Sequence, residues 1–105
     1  MKTYRVVITS EAKEDLKRYL AYIQHRLQNP QAAKNVAQDF RKTKDQLKTI
    51  AGSLAESESE TLRSRNLKRL NFQQHDYFLL FRVNGNAAEV VSIFHSLEDY
   101  EKKLR

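Results

Sequence analysis

At 105 residues and 40% hydrophobic side chains the chain can fill one compact core but not two, and only 2 Gly and 1 Pro exclude a loop-dominated or disordered polypeptide. The absence of cysteine excludes disulfides and thiolate metal sites, and no run approaches the about 18 consecutive apolar residues of a membrane span, so a cytoplasmic protein without membrane partners is expected. The formal charge of +6 points to an anionic partner, and residues 1–50 carry eleven Lys/Arg against five Asp/Glu.

Thr3 to Ile8 is β-branched and aromatic and reads as a first strand. Thr9-Ser10 supplies an N-cap oxygen, with Glu11 where the helix dipole favours an anion. Ala12, Leu16, Leu20, Ile23 and Leu27 then recur at spacings of three and four, one apolar stripe of a helix with Lys13, Lys17 and Arg18 outside it. Asn29-Pro30 ends this helix and caps the next, whose stripe is Ala33, Val36, Ala37, Phe40, Leu47, Ile50 and Leu54, interrupted at Lys44. Residues 10 to about 51 are therefore expected as an antiparallel helical hairpin that stops at Gly52-Ser53.

Residues 55–62 show no period and read as an exposed loop around the acidic run Glu56, Glu58 and Glu60. Beyond it the period changes to two, predicting strands over Arg65–Phe72, Tyr77–Val83 and Ala88–Phe94. Gln73 to Asp76 forms the first turn. Asn84-Gly85-Asn86 forms the second, because Asn and Gly accept positive φ. Ser96 to Leu104 reads as a short terminal helix with Leu97, Tyr100 and Leu104 inward.

The fold class is thus α+β: an N-terminal strand, a helical hairpin, a three-stranded antiparallel meander and a short helix, in one domain over residues 1–105. The helices are expected on one face of a twisted, mainly antiparallel sheet. With the turn at Asn84-Gly85, Phe81 is expected opposite Ala88 and Leu79 opposite Val90. Leu79, Phe81, Val83, Val90 and Phe94 then face the helices. Phe78, Leu80, Arg82, Glu89, Val91, Ile93 and His95 form the other face, which mixes charge with apolar residues and is a candidate working surface.

On these residues the chain resembles the RelE/ParE toxin superfamily of type II toxin–antitoxin systems over nearly its whole length. The resemblance is carried by Tyr4-Arg5-Val6-Val7-Ile8-Thr9 leading to Glu11-Ala12-Lys13-Glu14-Asp15-Leu16, by the Asn29-Pro30 break followed by Ala33, and by Leu67-Lys68-Arg69-Leu70 before His75-Asp76-Tyr77. Phe81-Arg82-Val83 and the ending Ile93-Phe94-His95-Ser96-Leu97-Glu98-Asp99-Tyr100 complete it. The resemblance implies a growth-inhibiting toxin held in a hetero-oligomer by a cognate antitoxin whose segment wraps its sheet and helices. RelE-like members cut messenger RNA in the ribosomal A site; ParE-like members inhibit DNA gyrase and have no established nuclease activity.

Metal-independent RNA cleavage needs a group to deprotonate the 2′-hydroxyl, one to protonate the leaving oxygen, and cations for the phosphorane. The candidates are His95 at the end of the last strand, His75 in a turn near it, and Arg69. Arg65, Lys68, Arg69 and Asn71 are the candidate nucleic-acid contacts, with a charged strand edge as the structural alternative. Two departures weigh against the nuclease chemistry. Phe78 and Ser96 stand where nuclease members of the superfamily carry arginine. Arg82 is expected to pair with Glu89, Tyr100 to pack in the core, and Tyr19 and Tyr22 to help hold the antitoxin. Lys13, Lys17, Arg18, Arg41, Lys42, Lys44 and Lys48 are read as a solvated helix surface. The reading leans to a ribosome-dependent mRNA endoribonuclease without metal or cofactor, its partners the ribosome and mRNA; the alternative is a non-enzymatic gyrase inhibitor.

Overall fold

The structure, a computed structural model, describes residues 2–104. Its elements follow the chain as β1 (Arg5–Ile8), α1 (Ser10–Ala21), a π-helical turn (Tyr22–Arg26), α2 (Pro30–Ile50), α3 (Glu60–Ser64), β2 (Lys68–Asn71), β3 (Tyr77–Asn84), β4 (Ala87–His95) and α4 (Tyr100–Lys103). The four strands form one sheet in the order β1-β4-β3-β2, parallel between β1 and β4 and antiparallel elsewhere. Among the described residues no helix is long and apolar enough to cross a membrane.

The helix ends sit where capping chemistry puts them. Thr9 Oγ1 accepts the Ala12 amide at 3.2 Å, and Asn29 Oδ1 accepts the Ala32 amide at 3.0 Å with Pro30 in the first turn of α2. Ala12, Ile23, Ala33, Val36, Phe40 and Leu47 are buried against Leu79, Phe81, Ala88, Val90 and Ile93, so the hairpin of α1 and α2 covers one sheet face as expected. The interruption expected at Lys44 is bridged by Thr43, which is fully buried and donates its hydroxyl to the Asp39 carbonyl at 2.8 Å. Leu27, read as the last residue of the first stripe, is instead exposed: the wider π-helical turn shifts the helical phase before it is reached.

The register of the β3–β4 hairpin differs from expectation. Phe81 lies opposite Val90, and Leu79 opposite Ile93. The loop is the two residues Gly85-Asn86, with Gly85 at φ +61°, and this tight turn moves the pairing by two residues. A β-bulge follows: Phe81 pairs with Val90 but Leu80 with Ser92, leaving Val91 as the extra residue. One extra residue reverses the side-chain alternation beyond it. Ile93 therefore points toward the helices and Phe94 away, the reverse of the expected faces.

Nor is the far face bare. Phe78, Leu80 and Phe94 form a second cluster there with Leu62 and Leu67, flanked by Val91, Tyr100 and Leu104. Leu62 comes from α3, a turn of helix inside the stretch read as loop, capped by Ser59 Oγ accepting the Leu62 amide at 3.3 Å. The expected strand from Arg65 is correspondingly shorter, and Arg65 is the C-cap of α3. The terminal helix is a single turn, with Leu97 exposed and Tyr100 and Leu104 on the second cluster. The idea of a wholly open working face is therefore corrected: one end of it is covered from within, and Arg82 and Glu89 mark the part that is not.

Candidate functional site

β1 ends at Ile8, opposite Val90, so among the described residues the edge of β4 beyond Val90 has no strand to pair with. Two side chains of α1 take its place. Asp15 Oδ2 accepts the Ile93 amide at 3.0 Å, and Tyr19 Oη accepts the His95 amide at 3.3 Å. The spacing explains the match: four helical residues rise about 6 Å and two strand residues about 6.6 Å, so residues four apart on α1 meet alternate amides of β4. Asp15 is 2% exposed and also contacts Arg18 at 3.4 Å. The carboxylate thus finishes the sheet, and α1 is fixed to β4 along this seam.

The seam opens into a cleft of about 410 Å³ lined by Arg18, Tyr19, Tyr22, Tyr77, His95 and Glu98. Tyr77 stands edge-on to Tyr19 and to His95, with ring centroids 5.1 and 4.9 Å apart. Glu98 is its electrostatic centre. Partial burial works against its charge. Hydrogen bonds from Lys103, the Tyr19 hydroxyl and the His95 amide outweigh that cost and hold the carboxyl at about 2. Burial, and then the hydrogen bond to Glu98, push the Tyr19 hydroxyl well above its ordinary range; burial with the Glu98 charge pushes Tyr77 up as well. At neutral pH the cleft therefore presents the protonated phenols of Tyr19 and Tyr77 around an ionised carboxylate paired with Lys103, with the Arg18 guanidinium 5.3 Å over the Tyr19 ring.

The candidate catalytic residues do not converge. His95 pairs with Tyr77 and sits on the helix side of the sheet, not on the outer face as expected, because the bulge reverses its side. Its Nδ1 accepts the Leu97 amide at 3.1 Å. A neutral ring so bonded carries its proton on Nε2, and its one lone pair is already engaged. Arg69 lies on the opposite face, opposite Leu80, with its guanidinium 3.7 Å from the Phe78 ring centroid and its Nε donating to Asn71 Oδ1 at 2.8 Å. His75 is held elsewhere, by α2. The nucleic-acid candidates are divided too: Lys68 pairs with Phe81 on the helix side, Arg69 and Asn71 lie on the outer face, and Arg65 lines a separate groove with Arg82 and Glu89. Arg82 and Glu89 lie directly opposite each other in the shifted register, where the expected register made them diagonal neighbours. Tyr100 packs edge-on to Phe78 at 5.3 Å, as read.

His75 is set by Asp39. This carboxylate, 3% exposed, accepts the Gln73 amide at 3.0 Å, the Gln74 amide at 2.9 Å and His75 Nδ1 at 2.7 Å, fastening the β2–β3 turn to α2. Burial opposes the charge, but these three donors hold the carboxyl below its usual range. Among the described residues no three His, Asp or Glu side chains converge as metal ligands would. Asp15, Asp39 and Glu98 are the organising residues that sequence reasoning missed. Their signal is weak but present: Asp15 lies three residues after Ala12 and Asp39 three after Val36, each an acid on an apolar stripe.

The family model described as ParE toxin of type II toxin-antitoxin system, parDE, matches residues 6–100. Comparison with curated proteins yields no match. Among solved structures, a chain of the chromosomal ParDE TA system from P. aeruginosa is similar, with a TM-score of 0.75 and 22% identity over 89% of this chain and 96% of that one. At that identity the likeness shows the fold. With a family match that runs from β1 to the first residue of α4, this chain belongs to the ParE toxin family of type II toxin–antitoxin systems.

Proposed function

We propose that this protein arrests growth by inhibiting DNA gyrase without enzymatic chemistry of its own, and that a cognate antitoxin neutralises it in a hetero-oligomer in the cytoplasm. The observation that carries the reading is the ParE family match across residues 6–100. Gyrase, the alternative in the sequence reading, now takes precedence over the mRNA endoribonuclease. Three features of the site support that order. His95 and Arg69 lie on opposite faces of the sheet. His95 Nδ1 accepts the Leu97 amide, so the lone pair that a general base would use is engaged. Phe78, at a position where superfamily nucleases carry arginine, is fully buried between Phe94 and Tyr100 and belongs to the core.

The experiment is induction of the protein in a bacterium with labelled precursors of DNA, RNA and protein. Early loss of DNA synthesis with an SOS response is expected, while messenger RNA stays intact. Immediate loss of protein synthesis with discrete mRNA cuts would refute the gyrase reading and restore the ribonuclease.

A further inference from the structure

The Asp39–His75 pair lines a second pocket, of about 180 Å³, together with Asn35, Gln38, Lys42 and Gln74. Every lining side chain is polar. Asn35, Gln38 and Lys42 fall at spacings of three and four on α2, one face of the helix, which meets the turn that Asp39 fastens. An ionised carboxylate only accepts, so Asp39 fixes the His75 proton on Nδ1 and leaves Nε2 as the ring's other polar atom. Gln31 Nε2 donates to Asn35 Oδ1 at 3.0 Å, which leaves the Asn35 amide nitrogen as its remaining donor. The pocket's carboxylate, Asp39, is already engaged by two backbone amides and the imidazole, so its oxygens are solvated from within the protein. What faces the space is the Lys42 ammonium, the His75 ring and side-chain amides.

We propose that this pocket binds a phosphoryl group. Lys42 supplies the charge, and the side-chain amides of Asn35, Gln38 and Gln74 donate to the oxygens. Asp39 is a positioning residue here: it holds the His75 ring and the β2–β3 turn that form one wall of the pocket. The phosphoryl group belongs either to a small phosphate ester or to a nucleic-acid backbone, since the donor set recognises what the two share.

The test is a titration of the intact protein with inorganic phosphate at constant ionic strength, following the His75 ring signals by NMR. A saturable shift is expected, absent with chloride. Lys42→Ala, a change at an exposed position, is expected to weaken binding about tenfold. Gln38→Ala keeps the charge and is expected to weaken it less. Competition then assigns the source: displacement by a short DNA duplex indicates a backbone phosphate, whereas displacement by a nucleoside monophosphate alone indicates a small ester. A pocket that only holds water gives no saturable shift, and that result overturns the proposal, as does equal affinity in Lys42→Ala. The titration contains no gyrase, so its outcome and that of the gyrase reading are independent.

Discussion

Replacing Asp15 by Ala removes the acceptor of the Ile93 amide at a point where, among the described residues, the sheet has no neighbouring strand. The carboxylate is 2% exposed and Ile93 is fully buried, so water does not readily take its place. Losing a hydrogen bond to a charged group and leaving a buried N–H unpaired costs on the order of 3 kcal/mol. For a chain of 105 residues that corresponds to a fall in Tm of roughly 14 °C. Asp15→Asn keeps an oxygen for the amide and should lose only about 1 kcal/mol. Arg18→Ala should lose less still, about 0.5 kcal/mol, because the guanidinium is 62% exposed and its ion pair is screened. Urea denaturation followed by circular dichroism measures all three. Equal losses for the Ala and Asn variants, or an Ala loss under about 1 kcal/mol, would show that the side chain does not complete the sheet.

Glu98 makes stability depend on pH on the acid side. Its carboxyl lies at about 2 against an ordinary 4.5, so its contribution is present above pH 4.5 and is lost as pH falls toward 2; Glu98→Gln should flatten the stability profile across that window in acid titrations. Leu62→Ala empties a fully buried site in the second cluster and should cost about 3 kcal/mol, measured by thermal melting; a loss near zero would return residues 60–64 to the status of a surface loop. Gly85→Ala places a side chain at φ +61° with open space around it, so about 1 kcal/mol of backbone strain is expected in urea melts, and Gly85→Asn should cost less.

Much of this fold is legible in the sequence because its long elements are periodic. The stripes from Ala12 to Ile23 and from Ala33 to Leu47 fix two helices and their inward faces, and Thr9 and Asn29 fix where they begin. The bulge is not legible: Val90-Val91-Ser92 carries no Gly, Pro or other punctuation, yet one unpaired residue there moves Ile93, Phe94 and His95 to the faces opposite those expected. That single shift accounts for most of what the sequence misplaces at the site, since it turns His95 from the outer face to the cleft. The helix α3 is short and sits inside a Ser/Glu tract, where only Ser59 as a cap and Leu62 as an apolar anchor mark it. Asp15 and Asp39 escape because an acid on an apolar stripe has meaning only once its backbone partners, distant in sequence, are known.

The target itself is tested most directly with purified components. Negative supercoiling of relaxed plasmid by gyrase and ATP should fall as this protein is added, with linear DNA released after protein denaturation from trapped cleavage complexes. The cognate antitoxin should restore supercoiling. Unimpaired supercoiling at saturating protein, together with cleavage of mRNA in a purified translation system, would contradict the account.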